Sequence, residues 1–86
     1  MKIINWKTSS DFSLIIDVLR EGGEDIAIVV FKGTPIGWFH IQILRQIYPH
    51  GNFVFICRTV RVKKILKQSG YRVFNTLQEI DQILPE

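Results

Sequence analysis

The chain is poor in the residues that most directly announce a chemistry. Cys57 is its only cysteine, so no internal disulfide can form, and neither a second Cys nor a His lies at metal-ligand spacing from it, which argues against a structural zinc site. No apolar run approaches the roughly 20 residues that a membrane-spanning helix requires. The opening MKIINWKTSS carries a lysine but no apolar core and no small-residue cleavage site, so a signal peptide is not expected and the expected location is cytoplasmic. There is no internal repeat, no low-complexity segment and no linker. Eighty-six residues suffice for one domain with one modest core, spanning 1–86, and leave no room for a second. Hydrophobic residues make up 47% and charged residues 22%, a balance that excludes a disordered chain and fits a globular domain.

What is present is a regular alternation. KIINW reads as a short strand, and TSSDFSLIIDVLREGG as a helix marked at both ends: Thr8 and Asp11 have capping-box spacing, and Gly22 and Gly23 supply the stop. Phe12, Ile15, Ile16 and Leu19 fall at i, i+3, i+4, i+7, the stripe that packs on a sheet. DIAIVVFK and NFVFICR are apolar at consecutive positions, as strands covered on both faces are. Between them lies TPIGWFHIQILRQIYPHG, too long for a hairpin. TVRVKKILKQSG places Val62, Ile65, Leu66 and Ser69 on one helical face and stops at Gly70. YRVFN reads as a last strand and TLQEIDQIL as a last helix, with Thr76 and Glu79 at capping-box spacing. The order β-α-β-α-β-α-β-α implies an α/β fold with a four-stranded, mostly parallel sheet and helices on both sides.

The loop after the second strand, GTPIG, is where an α/β protein places a ligand, yet it has neither the G-x-G-x-x-G nor the G-x-x-x-x-G-K-[ST] pattern of a phosphate cradle. Thr34 fits an N-cap, with Pro35 at the first helical position. Gly37 would then sit in the first turn, at a cost of about 1 kcal/mol against alanine, which suggests that something approaches it closely. Turning each residue by 100° places Ile36, Phe39, Ile43, Leu44 and Ile47 on the core face and Gln42, Arg45 and Gln46 on the outer one. Trp38 lands beside Arg45, with Ile41 and Tyr48 adjoining, and a Trp, an Ile, a Tyr and an Arg on an outward flank have the composition of an interface hot spot. Cover by a neighbouring loop is the alternative.

His40 falls within the apolar face, where a hydrogen bond to backbone is the expected role, and Cys57, with no identifiable partner, is expected to be buried and inert. The acidic residues cluster in the first helix, the Glu24-Asp25 turn and the C-terminal helix, away from the loops that follow the second and third strands. No nucleophile, base and oxyanion donors assemble, so neither an enzyme nor a cofactor is expected. Charge is uneven. Up to Cys57, Lys2, Lys7, Arg20, Lys32 and Arg45 balance Asp11, Asp17, Glu21, Glu24 and Asp25; the basic excess sits in RTVRVKKILKQSGYR, which has no acidic residue, and Glu79, Asp81 and Glu86 after it bring the net formal charge to +3. Arg61, Lys63, Lys64, Lys67 and Gln68 would form the solvent side of that helix. Such a side is ordinarily just solvated, but it also suits phosphates, nucleic acid, an anionic membrane or an acidic partner. No aromatic stacking platform and no helix-turn-helix pair accompanies it, which makes nucleic acid the lesser reading.

FVFICRTVRVKKILKQSGYRVFNTLQEIDQIL, together with SSDFSLIIDVLREGGEDIAIVV, resembles the STAS family, the sulfate transporter and anti-sigma factor antagonist domains. The likeness is one of pattern over most of the chain, with the family's usual first strand missing. The family's D-S-S-G loop stands here as Thr34-Pro35-Ile36-Gly37, of which only Gly37 matches. The resemblance implies a regulatory switch or adaptor that docks another protein, such as a regulatory kinase or a domain of the same family, through the loop and the helix it begins. That makes Thr34, Gly37, Trp38, Ile41 and Arg45 the expected contact residues; Pro35 and Ile36 stand at the family's serine positions and Thr34 at its Asp position, which leaves Thr34 as the loop's one hydroxyl for phosphorylation. The alternative is an anion or nucleic-acid binding module using Arg58, Arg61, Lys64 and Lys67. A homo-oligomer is compatible with either.

Overall fold

A computed structural model of the chain describes residues 2–22, 25–48, 53–76 and 78. Its elements are β1 (Lys2–Trp6), α1 (Ser9–Glu21), β2 (Ile26–Val30), α2 (Trp38–Ile47), β3 (Phe53–Ile56), α3 (Val60–Gln68) and β4 (Val73–Phe74). The helix expected over 76–84 lies mostly outside the described residues.

The four strands form one parallel sheet in the order β1-β2-β3-β4. Each new strand is added beside the previous one, so the sheet grows in one direction only. Ile4, Ile28 and Phe55 point to the same face as Trp6, Val30 and Cys57, because parallel partners share a face: Ile4 pairs with Ile28, Trp6 with Val30, and Ile28 with Phe55. On that face Trp6, Ile26, Ile28, Val30, Phe53, Phe55 and Cys57 join Ile15 and Leu19 of α1, Ile41 and Leu44 of α2, and Val62 and Leu66 of α3 in one core. All three described helices therefore pack on the same side of the sheet. The cause is topological: crossovers of a single hand, in practice the right one, that always step in the same direction must all pass over the same face.

This corrects the expectation of helices on both sides. The opposite face carries a second, smaller cluster of Ala27, Val54 and Ile56, with Val29 and Phe74 packed against it, and no described helix belongs to it. Consecutive apolar residues in β2 and β3 are accounted for by two clusters, one per face.

Local chemistry fixes the ends of the elements. Asp11 accepts hydrogen bonds from the backbone N–H groups of Lys7 (2.8 Å) and Thr8 (3.0 Å), the carboxylate half of a capping box. Those backbone bonds, chiefly that from Lys7, hold its carboxyl below the ordinary value. α3 ends in a Schellman motif: the Gly70 N–H donates to Lys67 O and the Tyr71 N–H to Leu66 O, both at 3.1 Å. Gly70 has φ +92°, a conformation costly for any residue with a Cβ. The motif turns Tyr71 into the core, where its ring meets those of Phe53 and Phe55 at 5.3 and 5.5 Å.

Candidate docking face around α2

The segment between β2 and α2 leaves the sheet at Phe31, whose N–H donates to Trp6 O at 3.1 Å. The Thr34 N–H returns to Phe31 O at 3.1 Å, and the Thr34 hydroxyl, 2.7 Å from both Trp6 O and Phe31 O, shares its proton between the two carbonyls. Thr34 is 6% exposed. It thus locks the loop to the end of β1 and does not cap α2, which begins at Trp38 with Gly37 as its N-cap residue. Neither Pro35 at a first helical position nor an accessible phosphate acceptor at Thr34 survives this placement: the hydroxyl points inward and is engaged. Nor does anything approach Gly37 closely. A Cβ there would meet no atom within 4 Å, and its backbone is extended, as an N-cap residue's is.

With no side chain of its own, Gly37 is capped from within the helix. Its N–H donates to His40 Nδ1 at 3.1 Å, which makes that ring nitrogen the acceptor. The His40 ring stands edge-on to Trp6, Phe12 and Phe39, at 5.6, 4.8 and 5.4 Å, while Trp6 stacks on Phe12 at 5.1 Å. The expected backbone hydrogen bond is present. His40 packs against this aromatic cluster, whereas Cys57 is buried at the end of β3, its Sγ 3.7 Å from Thr59 O.

α2 turns a different face to the core from the one expected. Ile41 and Leu44 are both 0% exposed, and Tyr48 packs partly buried beside them, its hydroxyl reaching Ile16 O of α1 at 3.3 Å. Ile41 is therefore core and unavailable to a partner. Phe39 and Ile47, expected in the core, are 67% and 48% exposed, with Ile43 half-buried between them. Trp38, 53% exposed, and Arg45 stand outward as expected. Phe39, Gln42, Ile43, Arg45 and Gln46 line a shallow depression on this outer surface. Among the functional candidates the structure thus keeps Trp38 and Arg45 on the surface, removes Ile41 and Thr34, and adds Phe39 and Ile47. A signal for the addition was present, since Ile41, Leu44 and Tyr48 also fall at i, i+3, i+7.

On the next helix Arg61, Lys64 and Lys67 are exposed, Lys63 is half-buried and bonded to Asn75 Oδ1, and Arg58 Nε donates to Asn75 O at 3.4 Å. From Ile26 to Thr76 the sequence has no Asp or Glu, against Lys32, Arg45, Arg58, Arg61, Lys63, Lys64, Lys67 and Arg72. The Lys and Arg residues of the two helices are Arg45 on α2 and Arg61, Lys63, Lys64 and Lys67 on α3, neither helix has an Asp or Glu, and the acidic residues of the described chain lie on α1 and at Asp25 beside β2. Among the described residues there is no group of His, Cys, Asp and Glu that could hold a metal ion and no helix long and apolar enough to cross a membrane. Compared with family models, curated proteins and solved structures, the chain matches none.

Proposed function

We propose that this α/β domain is a non-enzymatic protein-interaction module, a regulatory switch or adaptor, and that its contact surface is the outer side of α2. One observation carries the reading: Trp38 and Phe39, adjacent in the first turn of α2, each expose more than half of their surface. Large exposed aromatics contribute little to folding and much to association, and Trp and Arg are the residue types most enriched among binding hot spots. Arg45 and the basic residues of α3 set the chemistry of the partner, which is a protein presenting apolar side chains within an acidic patch. The resemblance to STAS domains supports docking through this helix, and phosphorylation of Thr34 forms no part of the proposal.

The test is association with a partner purified on the full chain. Trp38→Ala is expected to weaken it about thirtyfold, or ~2 kcal/mol, with the melting temperature little changed. Arg61→Glu combined with Lys64→Glu, on α3, is the comparison. Loss of binding in that pair with Trp38→Ala binding normally, together with a steep dependence on salt, would move the contact to the basic helix and to an anionic or nucleic-acid ligand. Self-association abolished by Trp38→Ala would replace the partner by a second copy of the chain.

A further inference from the structure

We infer that the recess at the carboxyl ends of β2, β3 and β4 binds a small organic phosphate. This cavity, of about 640 Å³, is separate from the face of α2. Its floor is apolar, from Val29, Val30 and Ile56, and its walls are the three chain segments that leave the strands: Lys32 after β2, Arg58 after β3 and Asn75 after β4. All three described helices lie on one face, so this sheet has no crevice between connections that part to opposite faces; the recess is formed by the ends of β2 and β3 and the segments that follow β2, β3 and β4.

Two features select the ligand. The first is charge. Lys32 and Arg58 stand on different walls of the recess, and no ion pair engages either among the described residues. Arg58 spends its Nε on Asn75 O, which holds the guanidinium in place and leaves both terminal nitrogens for a bidentate bond to an oxyanion. Lys63 approaches from α3 through Asn75 Oδ1. The first turn of α3 holds no acidic residue, and its N-cap residue, Thr59, makes no side-chain capping bond, so among the described residues the helix end and the two cations favour an anion at this edge. The second feature is shape. A recess with an apolar floor and a cationic rim suits a molecule with an apolar body and a doubly charged head, and its volume lies within the range of small-molecule sites, roughly 300–1,000 Å³. A polynucleotide would instead need an extended track of charge.

The experiment is an amide NMR titration of the full chain with phenyl phosphate, inorganic phosphate, phenol and a short oligothymidylate. Phenyl phosphate is expected to bind saturably, shifting the amides of residues 31–32, 58–61 and 75, and to bind more tightly than inorganic phosphate or phenol. Lys32→Gln and Arg58→Gln should each weaken it about tenfold, as loss of a charge-assisted hydrogen bond does. Lys32 makes no structural hydrogen bond among the described residues, so its variant reads binding without disturbing the fold. Trp38→Ala should leave the titration unchanged, which separates this site from the proposed docking face. Absence of saturation, equal binding of phenol, or affinity untouched in both variants would overturn the inference. So would tighter binding of the oligonucleotide with shifts spread along Arg61, Lys64 and Lys67.

Discussion

Replacing Thr34 tests the way the loop before α2 is held. The hydroxyl is buried and serves Trp6 O and Phe31 O at once, but neither carbonyl depends on it alone: Trp6 O also accepts the Phe31 N–H, and Phe31 O the Thr34 N–H. Thr34→Val keeps the shape and removes the donor, and because no carbonyl is left without a partner the loss is the net value of one hydrogen bond, about 1 kcal/mol. Thr34→Ala also removes the γ-methyl from a buried site, adding about 0.8 kcal/mol, for a total near 2 kcal/mol. In a domain of this size each kcal/mol lowers the melting temperature by about 4–8 °C. Urea and thermal unfolding followed by far-UV circular dichroism give the free energies. Fluorescence in a Trp38→Phe background gives the local environment, since Trp6 then reports alone from beside the lock. The reasoning would be refuted if Thr34→Val melted with the parent while Thr34→Ala did not, because the methyl and not the hydroxyl would then hold the loop. A kinase that modified Thr34 in the folded chain without lowering its stability would refute the placement of the hydroxyl itself.

Gly70→Ala should lose about 1–2 kcal/mol in urea unfolding, because φ +92° is strained for any Cβ although space for one exists. Tyr71→Phe should be neutral or more stable by up to about 1 kcal/mol, since the buried hydroxyl has no hydrogen-bond partner among the described residues and is desolvated for nothing; burial also raises its pKa, against the pull of Arg45, so the phenol should titrate above its ordinary range in an ultraviolet pH titration. Asp11 has its folded pKa lowered, first by the Lys7 and then by the Thr8 backbone hydrogen bond. Its contribution to stability is therefore complete above the unfolded value of about 3.9 and is lost as pH falls through the lower folded value; an Asp11→Asn variant should show a shallower loss of stability across that acid window.

The element order as far as β4, the parallel sheet and the ends of α1 and α3 were legible in the sequence, because these depend on local information: β-branched runs, 3.6-residue periodicity, and glycines where the chain must turn left-handed. Gly70 could be read as a stop because no other residue takes that conformation cheaply, and Asp11 as a cap because its partners are three and four residues away. The sequence was also enough to place Trp38 and Arg45 outside the core. The expected inward face of α2, with Phe39, Ile43 and Ile47, was the wrong one of two apolar stripes: the segment also carries Ile41-Leu44-Tyr48, and periodicity ranks neither above the other. Tertiary structure chose between them. Thr34 bonds across 28 residues to Trp6, Ile36 is buried in the core, and α2, which begins after both at Trp38, packs with Ile41 inward and Phe39 out. The side of the sheet on which the helices lie was likewise not legible, because it follows from the order in which strands sit beside one another. That order is fixed by long-range pairing and packing, and a strand's own residues, apolar on both faces, carry no mark of it.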